Sequence, residues 1–147
     1  HMRIWRFEEV CAMNIELSSK EFRRLLDMVY IGNWVLNSTR GEDRFTDYDD
    51  IQEKLFGYCA KLGLKDLYTT WYGHVFPSKA FEEGGIHEAI ADYEDAVFFD
   101  ILAEELARRD MNLEDTDPED FTELTNRMDE YITEFEENGI ENLTIEK

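Results

Sequence analysis

Residues Ile86 to Arg109 read IHEAIADYEDAVFFDILAEELARR. The stretch holds neither Gly nor Pro, and as a helix it spans roughly 36 Å at 1.5 Å per residue. On a helical projection Ile86, Ile90, Tyr93, Val97 and Ile101 share one face, with Glu88, Asp92 and Asp95 opposite. Past Val97-Phe98-Phe99 the pattern turns. Phe99, Leu102 and Leu106 take the side the acids held, while Asp100, Glu104 and Arg108 move near the former apolar side. A kink needs Pro, Gly or a bulge, and none is present. The pattern therefore predicts one continuous helix over 86–109 with two sets of neighbours. Ile86, Ile90 and Tyr93 should face inward in its first half. Phe99, Leu102 and Leu106 should be buried in its second half, against helices at 19–37 and 118–138.

Before this stretch, Ser18-Ser19-Lys20-Glu21 is a capping box. It predicts a helix over 19–37 with Phe22, Leu25, Leu26, Val29 and Tyr30 on one face. Ile31, Trp34 and Val35 lie off that face, which places this helix centrally, beside the 86–109 helix. Gly32 inside it costs about 1 kcal/mol against Ala, and a close neighbour would account for it. A polar loop at 38–47 leads to a helix over 48–62 with Ile51, Leu55, Tyr58, Cys59 and Leu62 on its stripe, ended by Gly63-Leu64 in a Schellman motif. Residues 65–79, KDLYTTWYGHVFPSK, are aromatic and β-branched, with Gly73 and Pro77 as breakers. They read as an irregular connection, followed by a brief helix that Ser78 caps and Gly84-Gly85 ends.

After Arg109, residues 110–116 form a loop. Asp117 caps a helix with Pro118 at its first position. That helix runs over 118–138 with a stripe of Phe121, Leu124, Met128, Tyr131, Ile132 and Phe135, and Gly139 stops it. Residues 13–17 and 142–146 alternate apolar and polar and read as a small two-stranded ribbon. The fold class is all-α: four main helices (about 19–37, 48–62, 86–109 and 118–138) in a compact bundle, one globular domain over 1–147. His1-Met2 reads as a cloning remnant, and residues 3–12 are ambiguous.

The 147 residues carry a net charge of −20, unevenly placed. Residues 1–81 hold 12 acidic and 11 basic side chains, residues 82–147 hold 23 and four. Such a field repels nucleic acid and anionic lipid and attracts basic partners. Direct nucleic-acid binding and membrane insertion are not expected. Two cysteines, Cys11 and Cys59, with no export signal, fit reduced thiols in a cytoplasmic protein. Cys59 lies on an apolar stripe, where a buried, inert thiol is the ordinary case.

Motifs for chemistry are missing. Neither His74 nor His87 has a Glu three positions earlier, so the Glu-x-x-His pairs of di-iron bundles are absent. Phosphate loops, dinucleotide fingerprints and nucleophile elbows are absent as well. No catalytic residue, metal ligand or cofactor is assigned. Glu88, Asp92 and Asp95 form a row, for which a solvated face is the simpler reading.

Two places remain. Trp71-Tyr72-Gly73-His74 puts aromatics and a titratable ring on a connection, where they can anchor a partner or line a pocket. The competing expectation is that these rings fill the core. Glu134, Glu136 and Glu137 sit in the last turn of a helix, where the macrodipole disfavours anions, with no Lys or Arg nearby in sequence. Trp71, Tyr72, His74, Glu134 and Glu137 are the candidate binding residues. The expected function is a non-catalytic protein-interaction or regulatory module whose acidic half binds a basic protein surface. The alternatives are a nucleic-acid charge mimic, and a small ligand-binding domain or enzyme using the aromatic loop 68–76.

Overall fold

A computed structural model describes residues 12–146. Cys11, the remnant at 1–2 and most of the ambiguous segment 3–12 lie outside the described residues. The described chain is helical, with four main helices and one two-stranded antiparallel sheet. Helix α1 is Ser19–Asn37, α2 is Thr46–Lys61, α3 is His87–Leu113 and α4 is Phe121–Asn138; β1 is Tyr68–Trp71 and β2 is His74–Pro77. The chain divides into two compact units, one ending at Ile86 and the other beginning at His87.

In the first unit α1 starts where the sequence places it. Ser18 Oγ accepts from the Glu21 amide at 3.1 Å, and the Glu21 carboxylate accepts from the Ser18 amide at 2.9 Å. Its buried residues are Phe22, Leu26, Tyr30, Asn33 and Asn37. The expected stripe thus continues through two asparagines, while Trp34 and Val35 are exposed. Gly32 has no neighbour near a would-be Cβ among the described residues, so close approach does not explain it.

Helix α2 runs two residues earlier than expected and is rotated. Phe56 and Cys59 are its buried residues, and Ile51, Tyr58 and Leu62 are exposed. The reason lies on α1: Asn33 donates to Asp49 and Gln52, so α2 turns its 49–52–56–59 row toward α1. Its end matches expectation. Gly63 takes φ 73°, Leu64 N donates to Cys59 O at 2.8 Å and Gly63 N to Ala60 O at 3.4 Å, which is the Schellman pairing.

Residues 68–77 are a β-hairpin, not an irregular connection, and here lies the small sheet. Trp71 pairs with His74 across a two-residue turn, Tyr72-Gly73, with φ 49° and 79°. Positive φ at both positions is the primed geometry that matches strand twist. The predicted ribbon does not form: 13–17 and 142–146 carry no ladder and belong to different units. Alternation over five residues sets a face but supplies no turn to bring such strands together.

Ser78 then caps the single turn Lys79–Phe81, accepting from the Phe81 amide at 3.0 Å. The turn drives Phe81 into the core, edge to face with Phe56 at 5.0 Å and Tyr30 at 5.3 Å. A π-helical segment, Glu82–Ile86, follows, broken by Gly85 at φ 112°.

In the second unit α3 is continuous, as its lack of breakers predicts, and extends to Leu113. Its end has no glycine. Asp115 takes φ 55°, and Thr116 N donates to Met111 O at 2.8 Å. Asp tolerates this left-handed conformation better than most residues. Asp117 does not cap α4. Its carboxylate accepts from the Glu119 amide at 3.0 Å, its carbonyl from the Asp120 amide at 3.1 Å, and Asp120 is the cap, accepting from the Glu123 amide. Pro118 therefore sits inside a turn that delivers Asp120. Gly139, at φ 58°, ends α4.

Helices α3 and α4 pair antiparallel. Ala103, Ala107, Met111, Leu124 and Phe135 are buried, with Met128 and Tyr131 packed on Ala107, Met111 and Leu124. The Phe99 and Phe135 rings lie 5.4 Å apart. Phe99, Leu102 and Leu106 are only half-buried. Alanines at i and i+4 let α4 approach closely, so the seam centres on them and the larger side chains flank it. The first half departs further from expectation. Ile90 is buried, but residues 91–96 are exposed on every side, and Tyr93 is 65% exposed.

Candidate functional site

The hairpin carries the aromatic candidates to an open surface. Trp71 is 67% and Tyr72 84% exposed, their rings edge to face at 4.5 Å. They do not fill the core. The hairpin is fastened by Glu53 of α2. Both its carboxylate oxygens lie 3.1 Å from His74 Nδ1, and the Val75 amide donates to Oε2 at 3.1 Å. The Val75 amide first, and His74 second, hold the Glu53 carboxyl below the usual carboxylate range. His74 is thus committed to Glu53, leaving Trp71 and Tyr72 as the free features of the tip.

Open clefts lie elsewhere. One of about 530 Å³ is lined by Asp110, Glu123, Arg127, Tyr131 and Glu134 among others. A second, of about 230 Å³, borders Asn33, Asn37, Arg44 and Gln52. A third, of about 390 Å³, is apolar and borders Ile15, Leu17, Leu25 and Met28. Neither Trp71 nor His74 lines any of these.

The second cleft borders a polar network that sequence patterning missed. Asn37 Nδ2 donates to Asn33 Oδ1 and to the Phe45 carbonyl, and the Phe45 amide donates back to Asn37 Oδ1 at 2.8 Å. Arg44 holds both oxygens of Asp49 at 2.8 and 3.1 Å. Arg44 first, then Asn33, lowers the Asp49 pKa against its partial burial. No buried side-chain polar atom among the described residues lacks a partner. The network is internally complete and clips the 38–45 loop to α1.

No known protein family, curated protein or solved structure matches this chain.

The second unit, from His87, holds 21 acidic and four basic residues. Its three described arginines are all engaged. Arg108 meets Glu104 at 3.4 Å, Arg109 meets Asp110 at 2.8 Å, and Arg127 holds Glu123 at 2.8 Å and also Glu114. Tyr131 Oη donates to Asp110, and Arg109 donates to Tyr131 at 3.3 Å. Burial alone would raise the Asp110 pKa, but Tyr131 and Arg109 together hold it below the ordinary value. Glu134 accepts from Asn138 at 2.8 Å and from Asn142. Asn142 first, then Asn138, lowers its pKa. Neutral amides, not a cation, thus settle Glu134 at the α4 terminus. Glu137 is exposed.

Among the described residues no cluster of three or more His, Cys, Asp or Glu side chains is placed to hold a metal ion, and no helix is long and apolar enough to cross a membrane.

Proposed function

We propose that the protein is a non-catalytic interaction module and that its acidic second unit binds a basic partner. One observation carries this reading. The unit has a net charge of −17, and every described arginine in it is already held by a carboxylate. Among the described residues of the unit, no Lys or Arg is left to neutralise the surplus acids. They generate a field that draws in Lys- or Arg-rich surfaces and repels nucleic acid. On α3 the carboxylates alternate with Tyr93, Phe98 and Ile101, which favours a protein partner over mimicry of a phosphate backbone.

Titration of the intact protein with a fluorescent oligolysine, repeated from low to high salt, tests the reading. Affinity is expected to fall steeply as the Debye length shrinks from about 30 Å at 0.01 M to about 8 Å at 0.15 M. No binding at low salt, or binding indifferent to salt, would reject it.

A second reading rests on the exposure of Trp71 and Tyr72. Aromatic rings held open at the tip of a hairpin are the kind of side chain that anchors an interface. Trp71→Ala and Tyr72→Ala should then weaken partner binding without lowering stability. Unchanged binding would remove the hairpin from the interface.

A further inference from the structure

Tyr93, Val97 and Ile101 stand at i, i+4 and i+8 on α3, in one row along the helix. Tyr93 is 65% and Ile101 60% exposed, and Phe98, beside the row, is 50% exposed. The row is about 12 Å long at 1.5 Å per residue. It precedes Ala103, Ala107 and Met111, the α3 residues buried in the seam with α4. Large apolar side chains aligned in a row, unlike scattered ones, mark a surface that something covers.

The charges beside the row identify what fits. On the helical projection Glu94 and Glu105 border it on one side and Asp100 on the other. No Lys or Arg occurs between His87 and Ala107, and the nearest, Arg108, is held by Glu104. A second copy would bring the same acids against these, at a cost set by like-charge repulsion. A segment with apolar residues on one face and Lys or Arg on both flanks meets the row and its borders at once.

We propose that the Tyr93–Ile101 ridge of α3 is the docking site for a basic amphipathic helix of a partner protein. The segment lays its apolar face on Tyr93, Val97, Phe98 and Ile101, and its cations meet Glu94, Asp100 and Glu105. This rests on the acidic-unit reading above and deepens it by giving that unit a specific contact row.

The experiment compares two probes on the full chain. One is a synthetic helical peptide of Leu and Lys with Leu on one face, the other an oligolysine of equal charge. The amphipathic peptide should bind more tightly by roughly tenfold or more, because apolar burial adds to charge. Tyr93→Ser with Ile101→Ser should cancel that advantage and leave oligolysine binding unchanged. Both side chains are exposed, so the core stays filled, and circular dichroism of the variant checks the fold. Glu94→Gln with Glu105→Gln should weaken both probes while leaving the preference for the amphipathic one. Equal affinity for the two probes, or a Ser variant that keeps the preference, overturns the ridge and leaves the acidic-unit reading standing. Failure of oligolysine itself to bind overturns both. Dimerisation of the native chain that the Ser variant abolishes would give the ridge to a second copy and overturn the proposal.

Discussion

Asn37 donates to the side-chain oxygen of Asn33 at 2.6 Å, one helical turn back along α1. Both residues are buried, on the face where the sequence pattern calls for apolar side chains. Asn37 also brackets Phe45, accepting from its amide and donating to its carbonyl. Those bonds take the place of the absent side-chain cap at the start of α2. Asn37→Leu would remove three hydrogen bonds and leave the buried Asn33 side-chain oxygen without its partner. Each orphaned group costs about 1–3 kcal/mol, so the urea midpoint should fall clearly, with the loop at 38–45 the first region to lose amide protection. A midpoint within error of the parent protein would refute this account.

Gly32 in α1 and Gly57 in α2 offer the opposite change. Both sit inside helices, and a Cβ at either position meets nothing within 4 Å. Neither has a positive φ. Gly32→Ala and Gly57→Ala should each raise stability by about 0.5–1 kcal/mol, since Ala loses less backbone freedom in a helix. Thermal and urea unfolding read the gain directly, and a loss at Gly32 would mean that something packs against it after all.

The Cys59 thiol is fully buried and its pKa is pushed up, mainly by burial and against the pull of Arg23. A thiolate is the reactive form. In a Cys11→Ser background, Cys59 should therefore stay unmodified by a thiol reagent in the native state and react on denaturation. Rapid labelling of the folded protein would contradict its place in the core.

What the sequence made legible was local chemistry. The Ser18–Glu21 box, the Gly63-Leu64 stop and Gly139 each depend on a few adjacent residues, and all appear in the structure. The uneven charge needed only counting. The failures share a cause: side chains whose role is set by a distant partner. Asn33 and Asn37 read as gaps in an apolar stripe until Asp49 and Phe45 are in place. Ala103 and Ala107 are too small to weigh in an apolar pattern, yet they set the seam because α4 can approach them. The hairpin was hidden because Tyr72 takes a positive φ where Asn or Asp is the usual signal. Among the candidate residues, the sequence places Trp71, Tyr72 and His74 within four positions of one another. It held no sign that Glu53, 21 positions before His74, would fasten them.

That fastening sets a pH dependence. The Glu53 carboxyl titrates below its ordinary 4.5 because the Val75 amide and His74 stabilise the ionised form. A lowered folded pKa means stabilisation that is present above the unfolded value and lost as pH falls through the folded one. The Val75 amide resonance should shift, and its exchange quicken, below about pH 4.5. Glu53→Gln keeps a carbonyl acceptor for Val75 but no titration, so its amide signal should be flat across the same range. A parent protein with no transition at Val75 would remove Glu53 as the anchor.

The bond between Tyr131 and Asp110 ties α4 to α3 and should tell at both ends of the pH scale. Tyr131 titrates above its ordinary 10.0, chiefly from burial and then from its bond to Asp110. Asp110 titrates below its ordinary 3.8 despite burial, held there by Tyr131 and Arg109. For Asp110 the unfolded chain binds its proton first, so the stabilisation fades as pH drops below about 4. For Tyr131 the unfolded chain releases its proton first, so stability falls as pH rises past about 10. Tyr131→Phe keeps the ring that stacks on Phe135 at 6.0 Å and removes only the hydroxyl. It should cost about 1–2 kcal/mol at neutral pH, the ordinary net worth of the two hydrogen bonds it removes, to Asp110 and from Arg109. It should also raise the Asp110 pKa and abolish the Tyr131 part of the alkaline loss. A Tyr131→Phe variant with the parent's stability and an unmoved Asp110 titration would show that the two helices are held by the alanine seam alone.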